Sequence, residues 1–275
     1  MGLGGYIPPR WYGMGLLGEA EKRLGEAIEA LGGDGFARAL VRWLGVELRH
    51  DNVTILAYFQ SRAPQAILTR AAAREVHRNL ESTYLKGAYL LDPFHELHRR
   101  RAARGVYRLT DIAPDQFHRN PYFLDYYAAT TMVDELAFVA YPGAGVSLHV
   151  CLGRDRSSNN RFTQREIIRA DHLSPIVVAL AERQWSDLAG PGEYSEARVT
   201  RRLIDSLKEA HGIALSLRQA EVALLILQGH SSVSIGLRLG ISPQTVKVFR
   251  KQLYRKCAIS SQAELFNLML PLLGV

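Results

Sequence analysis

The strongest constraint on the fold of this chain is a turn near its carboxyl end, Leu239-Gly240-Ile241-Ser242-Pro243. Gly240 can take the positive φ that a sharp turn between two helices requires, and Ile241 can fill the space between them. Ser242 is a favourable N-cap, and Pro243 suits the first position of a helix because its missing N–H would be unpaired there. The turn therefore predicts two helices packed around a small shared core.

Neighbouring helices are indicated by further capping signals. Ser216–Gln219 and Ser261–Glu264 have the capping-box pattern and predict a first and a fourth helix. Ser232 can cap a short second helix. We expect Gly229 to end the first helix and Pro271 to end the fourth. The carboxyl end is thus predicted to be an all-α four-helix domain.

Positive charge is concentrated in the same part of the chain. Residues 198–275 hold 11 Lys and Arg against four Asp and Glu, so their balance of +7 equals that of the whole chain. No acidic residue lies between Glu221 and Glu264. A surface of this charge attracts polyanions through counterion release and long-range steering. Nucleic acid is therefore the partner that the charge distribution indicates.

The third helix is expected to have one buried and one exposed face. Apolar residues recur at helical spacing and must pack against the small core: Val246, Phe249, Leu253 and Cys257. The opposite face carries a Lys-Val-Lys pattern, which suits base edges, thymine methyl groups and phosphates in a major groove. The residues predicted to contact double-stranded DNA are Ser242, Thr245, Lys247, Val248, Arg250, Lys251 and Arg255.

From Leu215 to about Leu265 the sequence resembles the LuxR-type helix-turn-helix, also called the NarL/FixJ type. The matching residues include Leu215, Ser216, Arg218, Glu221, Val222, Gly229, Leu239, Gly240, Thr245, Val246, Lys247 and Lys256. The resemblance implies that the third helix reads DNA, and it adds RNA polymerase as a candidate partner. It also implies that the fourth helix forms a homodimer through Leu265, Leu268 and Met269. The chain departs from the family pattern at Gln219, Gly236 and Phe249.

The front of the chain has the pattern of an α+β domain, an antiparallel sheet flanked by helices. Apolar residues at helical spacing predict two helices between Glu19 and Leu48, and a further helix is expected over Arg70–Lys86. β-Branched and aromatic residues predict strands at Asn52–Phe59, Glu135–Tyr141 and Val146–Gly153. A Pro-Gly-Ala-Gly turn should join the last two as a hairpin.

A capping box at Thr163–Glu166 predicts a long closing helix that runs to about Trp185. Ser186–Ser195 interrupts all periodicity with Gly-Pro-Gly and predicts an interdomain linker. We therefore expect an N-terminal arm (1–15), an α+β ligand-sensing domain (16–185), a linker with a lead-in helix (186–210) and a helix-turn-helix domain (211–275).

Aromatic residues cluster around Asp92-Pro93, between Tyr84 and Tyr127. Aromatic walls with a few polar groups suit an organic ligand, although such residues also form ordinary cores. The arrangement Tyr84-x4-Tyr89-x2-Asp92-Pro93 is similar to the autoinducer-binding domains of quorum-sensing LuxR proteins, and the layout resembles GAF or PAS-like sensors. Where that family has a tryptophan this chain has Leu80. The predicted ligand contacts are Tyr84, Tyr89, Asp92, Phe94, Tyr126, Phe138 and His149.

Other reactive groupings give no sign of catalysis. We interpret His95 and His98, next to Arg99–Arg101, as a solvated helix face, since a metal would need a third ligand. His149 and Cys151 share a strand face, but a catalytic thiol needs surroundings that favour the thiolate. We expect no enzyme, cofactor or metal. No apolar run approaches the ~20 residues of a membrane-spanning helix, and the start does not resemble a signal peptide, so a cytoplasmic location is expected.

Together these features predict a sequence-specific DNA-binding transcriptional regulator whose front domain senses a small molecule and controls operator binding by a dimer. The alternative is a non-enzymatic dimeric interaction protein whose basic head binds RNA or a protein partner and whose front domain has no ligand. A salt-dependent preference for one duplex sequence over bulk DNA distinguishes the two hypotheses.

Overall fold

The computed structural model describes residues 18–190 and 196–273, and the chain divides into two compact units at Arg49/His50. The first unit contains two helices that pack against each other, α1 (Glu19–Glu29) and α2 (Phe36–Glu47). These helices confirm the pair predicted from the apolar spacing. The predicted N-terminal arm lies outside the described residues.

The second unit begins with a five-stranded antiparallel sheet in the order β2-β1-β5-β4-β3. The strands are β1 (Asn52–Phe59), β2 (Gln65–Ala71), β3 (Gly105–Arg108), β4 (Met132–Ala140) and β5 (Val146–Asp155). The predicted strands and the β4–β5 hairpin are confirmed. Both faces of β5 are buried, so each side of the sheet is covered.

The helix expected over Arg70–Lys86 is wrong. Its first residues belong to β2, which pairs with β1 along the edge of the sheet. The remainder forms two short helical turns, Arg74–His77 and Leu80–Tyr84. The alanines and charged residues of this segment have good helix propensity, but pairing with β1 outweighs that local preference.

The short helical segments that lie between β2 and β4 in the chain cover one face of the sheet. They are Ala88–Leu91, α3 (Pro93–Arg99), α4 (Leu109–Ile112), Phe117–Arg119, Tyr122–Tyr127 and Ala128–Thr130. The long helix α5 (Gln164–Gln184) packs against β3 and β4. Its capping box is confirmed, because Thr163 Oγ1 accepts from Glu166 N (3.3 Å) and Glu166 Oε2 accepts from Thr163 N (2.8 Å).

The carboxyl end is helical, as predicted. Its helices are α6 (Glu196–His211), α7 (Leu217–Leu227), α8 (Ser232–Leu239), α9 (Pro243–Lys256) and α10 (Gln262–Leu273). We call α7–α10 the head. Part of the predicted linker lies outside the described residues. No described helix is both long enough and apolar enough to cross a membrane.

The caps of the head follow the sequence closely, with two differences. Gly240 has φ +65°, and Ser242 Oγ accepts from Thr245 N at the start of α9 (3.0 Å). The cap of α8 is Ser231 rather than Ser232, since Ser231 Oγ accepts from Ser234 N (3.2 Å). The fourth helix does not end at Pro271, which lies inside α10. A proline in the last turn removes only one N–H from the helix, so the helix continues past it.

Candidate ligand cavity and DNA interface

A cavity of about 70 Å³ lies between one face of the sheet and the short helical segments that cover it. Strands β1, β4 and β5 form its floor. Its walls hold six aromatic rings and two carboxyl groups: Tyr58, Tyr84, Phe94, Tyr122, Tyr126, Tyr127, Asp92 and Glu135. An aromatic cavity with a few polar groups is the usual form of a small-molecule site.

Strand alternation brings the floor residues together. Cys151 of β5 is in register with Thr54 of β1, and both line the cavity. The preceding residue of β5, Val150, points to the opposite face, as period-two alternation requires.

A chain of hydrogen bonds connects the tyrosines to the first carboxyl group. The hydroxyl groups of Tyr58 and Tyr84 are bonded to each other, and Tyr84 Oη donates to Asp92 Oδ2 (2.6 Å). Asp92 Oδ1 accepts from Phe94 N (2.8 Å) and so caps α3. Burial raises the pKa of Asp92 to about 6, although the hydrogen bonds from Tyr84, Phe94 N and Tyr122 lower it. The carboxylate is therefore the main form at neutral pH.

The second carboxyl group belongs to Glu135 of β4. Its Oε2 accepts from Tyr127 Oη (3.1 Å). Burial, followed by the nearby charge of Asp92, raises the pKa of Glu135 to about 8. Glu135 is therefore mostly protonated at neutral pH.

Four of the seven predicted ligand contacts line this cavity: Tyr84, Asp92, Phe94 and Tyr126. Phe138 lies on the opposite face of β4, in register with Val150. Tyr89 lines a different cleft, beside Leu90 and Leu203.

His149, the seventh predicted contact, lies behind Tyr58, with ring centroids 4.7 Å apart, and not among the cavity residues.

The sequence reasoning missed several cavity residues, among them Tyr58, Tyr122, Tyr127 and Glu135. A usable signal existed for Glu135, because it is an acidic residue inside an otherwise apolar strand. The tyrosines gave no such signal, since aromatic residues are equally common in cores without ligands.

The interpretation of His95 and His98 as a solvated helix face is wrong. Both are buried, because α3 turns them inward, and His98 Nδ1 lies 2.8 Å from Ser147 Oγ. Ser147 Oγ is in turn 3.1 Å from His149 Nε2. Burial lowers the pKa of His98 to about 4 and that of His149 well below its usual value, so both rings are neutral. Among the residues described, no group of His, Cys, Asp and Glu is arranged to hold a metal ion.

The predicted DNA contacts lie along the start and the outer face of α9. Lys247, Val248, Lys251 and Arg255 are exposed, and the side chain of Val248 keeps 47% of its accessible surface. The inner face is confirmed as core, since Val246, Leu253 and Cys257 are buried and Phe249 is half-buried.

The polar residues that flank this face are partly held within the head. Ser242 is exposed and Thr245 and Arg250 are half-buried. Thr245 Oγ1 lies 2.8 Å from Ser242 Oγ, and the Arg250 guanidinium lies 5.2 Å from the centre of the Tyr254 ring.

The residues predicted to dimerise lie mostly in the interior of this chain. Leu265 and Met269 have no exposed surface, and Leu268 is half-buried. Since α10 also packs against Ala88–Leu91 of the front domain, only Leu268 of the three keeps surface that a second chain can contact in this conformation.

The head is bonded to the front domain at the end of α7. Asn120 is buried, and its Nδ2 donates to Leu227 O (2.6 Å) and Ile226 O (3.2 Å). Its Oδ1 accepts from Tyr122 N (2.7 Å). The residue that holds the head is therefore bonded directly to a residue of the cavity wall.

Further contacts join the head to the front domain around Asn120. Gln116 N donates to Gly229 O (2.9 Å), and Ser231 N donates to Asp115 Oδ1 (2.9 Å). An ion pair joins Arg238 of α8 to Glu96 of α3 (3.1 Å). Two clefts of about 220 and 290 Å³ remain along the contact. These bonds and clefts lie beside apolar residues of both parts that belong to one buried cluster, among them Leu91 and Ile226.

Comparison with known proteins agrees with this description of the head. Residues 214–269 match the family of bacterial regulatory proteins of the luxR type. A relative from Aeromonas salmonicida, described as an HTH-type transcriptional regulator in the exeN 3′ region, is 30% identical over 185 residues, covering 65% of this chain and 93% of the relative. The fold and the head define a bacterial helix-turn-helix regulator. Within that class, the chain belongs to the LuxR family.

Two solved structures are also similar to the chain. The LBD domain of VqsR from Pseudomonas aeruginosa is 26% identical with a TM-score of 0.51, covering 61% of this chain and 96% of that domain. SdiA of Escherichia coli is 12% identical with a TM-score of 0.42, covering 92% of this chain and 97% of SdiA. The VqsR similarity supports the α+β fold of the front domain.

Proposed function

We propose that this LuxR-family regulator binds an operator as a homodimer through α9, and that a small molecule in the cavity of the front domain controls that binding. The observation that carries the proposal is the connection through Tyr122 and Asn120. Tyr122 lines the cavity, its backbone N–H is bonded to Asn120, and Asn120 donates to the last carbonyls of α7.

This connection gives a mechanism of population shift. A ligand that displaces the Tyr122–Tyr127 segment changes the position of Asn120 and so favours either the docked or the released head. Since the exposed face of α9 does not take part in the docking bonds, release changes where the heads can lie rather than uncovering them. Two heads of a dimer must match two half-sites about one helical turn apart, and their placement decides whether both engage.

The DNA-binding part is tested by selecting an operator with the full-length protein and measuring its affinity by electrophoretic mobility shift. Lys247→Ala and Lys251→Ala should each weaken operator binding by about 1–3 kcal/mol and reduce its salt dependence. Lys208→Ala is the matched control, because Lys208 is an exposed lysine of α6 outside this face. Equal affinity of wild type and both variants would remove α9 from the groove, and equal competition by RNA would favour the interaction-protein hypothesis.

The sensing part is tested by native mass spectrometry of freshly purified full-length protein. The measurement gives the number of subunits and the mass of any molecule that copurifies with them. A dimer with a discrete additional mass supports the proposal, and the mass constrains the chemistry of the ligand. A monomer at concentrations that saturate the operator would contradict homodimeric binding.

A further inference from the structure

We propose that Arg238 of α8 is a further contact with the phosphate backbone of the operator, and that Glu96 of the front domain occupies this arginine while the head is docked. The inference rests on the proposed function and adds the direction of control. A docked head lacks one phosphate contact, so a ligand that releases the head strengthens operator binding.

The first argument is the position of Arg238 in the head. In a helix-turn-helix, the helix before the recognition helix crosses the DNA backbone, and in this chain that helix is α8. Arg238 is the only charged residue of α8, and it lies four positions before Ser242, the N-cap of α9. Its charge is therefore next to the turn that leads into the groove, where a guanidinium suits phosphate oxygens.

The second argument is the source of its partner. No acidic residue lies between Glu221 and Glu264, so neither α8 nor α9 offers a carboxylate to Arg238. The carboxylate comes from α3 of the front domain, where Glu96 Oε1 accepts from Arg238 Nη1 (3.1 Å) across 142 positions of the chain. A carboxylate and a phosphate present similar charged oxygens to a guanidinium. Glu96 therefore takes the place that a phosphate would occupy.

The third argument is that this pair can exchange partners. The side chains of Arg238 and Glu96 keep 39% and 24% of their accessible surface, so solvent screens their attraction. The other oxygen of Glu96 accepts from Arg99 Nη1 (2.7 Å). When Arg238 transfers to a phosphate, Glu96 keeps Arg99 and neither charge loses all its partners. The exchange is therefore sensitive to small changes in how firmly the head is docked.

The surroundings of the pair make the control electrostatic rather than steric. His230 lies close enough to interact with the charges of Arg238 and Glu96, but burial lowers its pKa to about 4, so this ring is neutral at physiological pH. Leu237, the neighbour of Arg238, keeps 81% of its accessible surface. Docking thus neutralises the charge of Arg238 and leaves the adjacent surface of α8 uncovered.

The test is a double-mutant cycle in the full-length protein. Operator affinity is measured by electrophoretic mobility shift at several salt concentrations for wild type, Glu96→Gln, Arg238→Ala and the double variant. Glu75→Gln is the matched control, because it removes the same charge from an ion pair of the front domain whose arginine, Arg78, lies three positions away (2.8 Å). The control measures the general effect of one lost negative charge.

We expect Glu96→Gln to tighten operator binding about threefold per head, or about tenfold for a dimer. The slope of log affinity against log salt should steepen by about 0.9 for each head that gains a phosphate contact. Arg238→Ala should weaken binding about threefold or more, and adding Glu96→Gln to that variant should change nothing. Glu75→Gln should tighten binding by less than about twofold.

Three outcomes would overturn the inference. If Glu96→Gln tightens binding no more than Glu75→Gln, Glu96 masks no phosphate contact. If the tightening persists without Arg238, another group gains the contact. If Arg238→Ala changes binding in neither background, Arg238 does not touch the phosphates.

The proposed function is tested separately, because loss of binding in Lys247→Ala would leave α9 in the groove whatever Arg238 does. Arg238→Gln repeats the comparison with a residue of good helix propensity. A folding defect in the alanine variant therefore does not decide the result.

Discussion

At the scale of single residues, burial makes Glu135 a group that resists ionisation. Its pKa is raised to about 8 by burial and by the charge of Asp92. The groups that face it are Tyr127, Cys151, Asp92 and Asp134. Burial raises the pKa of Tyr127 and Cys151 well above their usual values, so both stay neutral at physiological pH. Asp134 is paired with Arg108 (3.6 Å).

This raised pKa predicts that stability falls with rising pH. The folded protein holds the Glu135 proton up to about pH 8, whereas the unfolded chain releases it near the ordinary value of about 4.3. The stabilisation is therefore complete below that ordinary value and is lost as pH rises to about 8. Urea unfolding between about pH 5 and pH 8.5 should show a decline on the order of 3 kcal/mol that Glu135→Gln largely removes.

The control for this titration is Glu81→Gln, since Glu81 is exposed. It should leave the decline unchanged. A decline of the same size in Glu135→Gln would assign the effect to other groups.

The sequence identified the cavity residues around Asp92 but missed those that the strands of the sheet contribute. Asp92 and Tyr84 stand in a short motif, so local spacing was sufficient to identify them. Glu135 and Tyr58 become cavity residues only when β1, β4 and β5 align in register. That alignment joins residues about 80 positions apart in the chain, as Asn52 and Met132 are, and no local pattern contains it.

At the scale of elements, the two turns that frame α8 depend on glycine for different reasons. Gly240 (φ +65°) has open space where a Cβ would lie. Gly229 (φ +92°) does not, because a Cβ there would lie 3.0 Å from Phe117 Cα and 3.1 Å from Asn120 Nδ2. Gly240 is therefore required only by the turn, whereas Gly229 also allows the close contact with the front domain.

Alanine at these two positions should therefore have different effects. Gly240→Ala should destabilise the protein by about 1 kcal/mol, the cost of a left-handed conformation for a residue with a Cβ. Gly229→Ala should cost more, and it should also speed amide hydrogen exchange at the end of α7. Identical exchange in both variants would mean that the contact with Phe117 does not hold the head.

Elements set by local signals were the ones that the sequence predicted well. The caps of α5, α7 and α9 depend on residues within four positions of each other, so their residues identify them. The edge strand β2 depends on pairing with β1, and its residues favoured a helix. The same argument explains why the end of α10 was predicted wrongly at Pro271. The contacts of α10 with its neighbours hold its last turn in a helix in spite of the proline.

At the scale of the whole molecule, the docked head and the front domain share one core. Buried residues of both parts, such as Leu91 and Phe117 in front and Ile226 and Met269 in the head, belong to a single apolar cluster. The sequence predicted two domains and a linker, but it gave no sign that the head packs against the front domain. The contact is made by residues whose types, such as Asn120 and Gln116, are common on any surface.

Asn120→Ala should release the head. Leu227 O loses its buried donor, and an unpaired buried carbonyl costs about 1–3 kcal/mol. We expect a larger radius of gyration in small-angle X-ray scattering and faster hydrogen exchange in α7 and α8. Asn160→Ala, at an exposed asparagine, is the control. A compact particle with unchanged exchange would show that the other contacts hold the head without Asn120.

Several of the hydrogen bonds between the front domain and the head use main-chain atoms of the head. Asn120 and Gln116 donate to the carbonyls of Leu227 and Gly229, and Asp115 accepts from the backbone of Ser231. Main-chain atoms are present whatever side chain a position carries. Substitutions on the exposed face of α9 therefore leave these bonds intact. Under the proposed function, a new operator preference can therefore evolve while the turn between α7 and α8 keeps its shape and its bonds to the front domain.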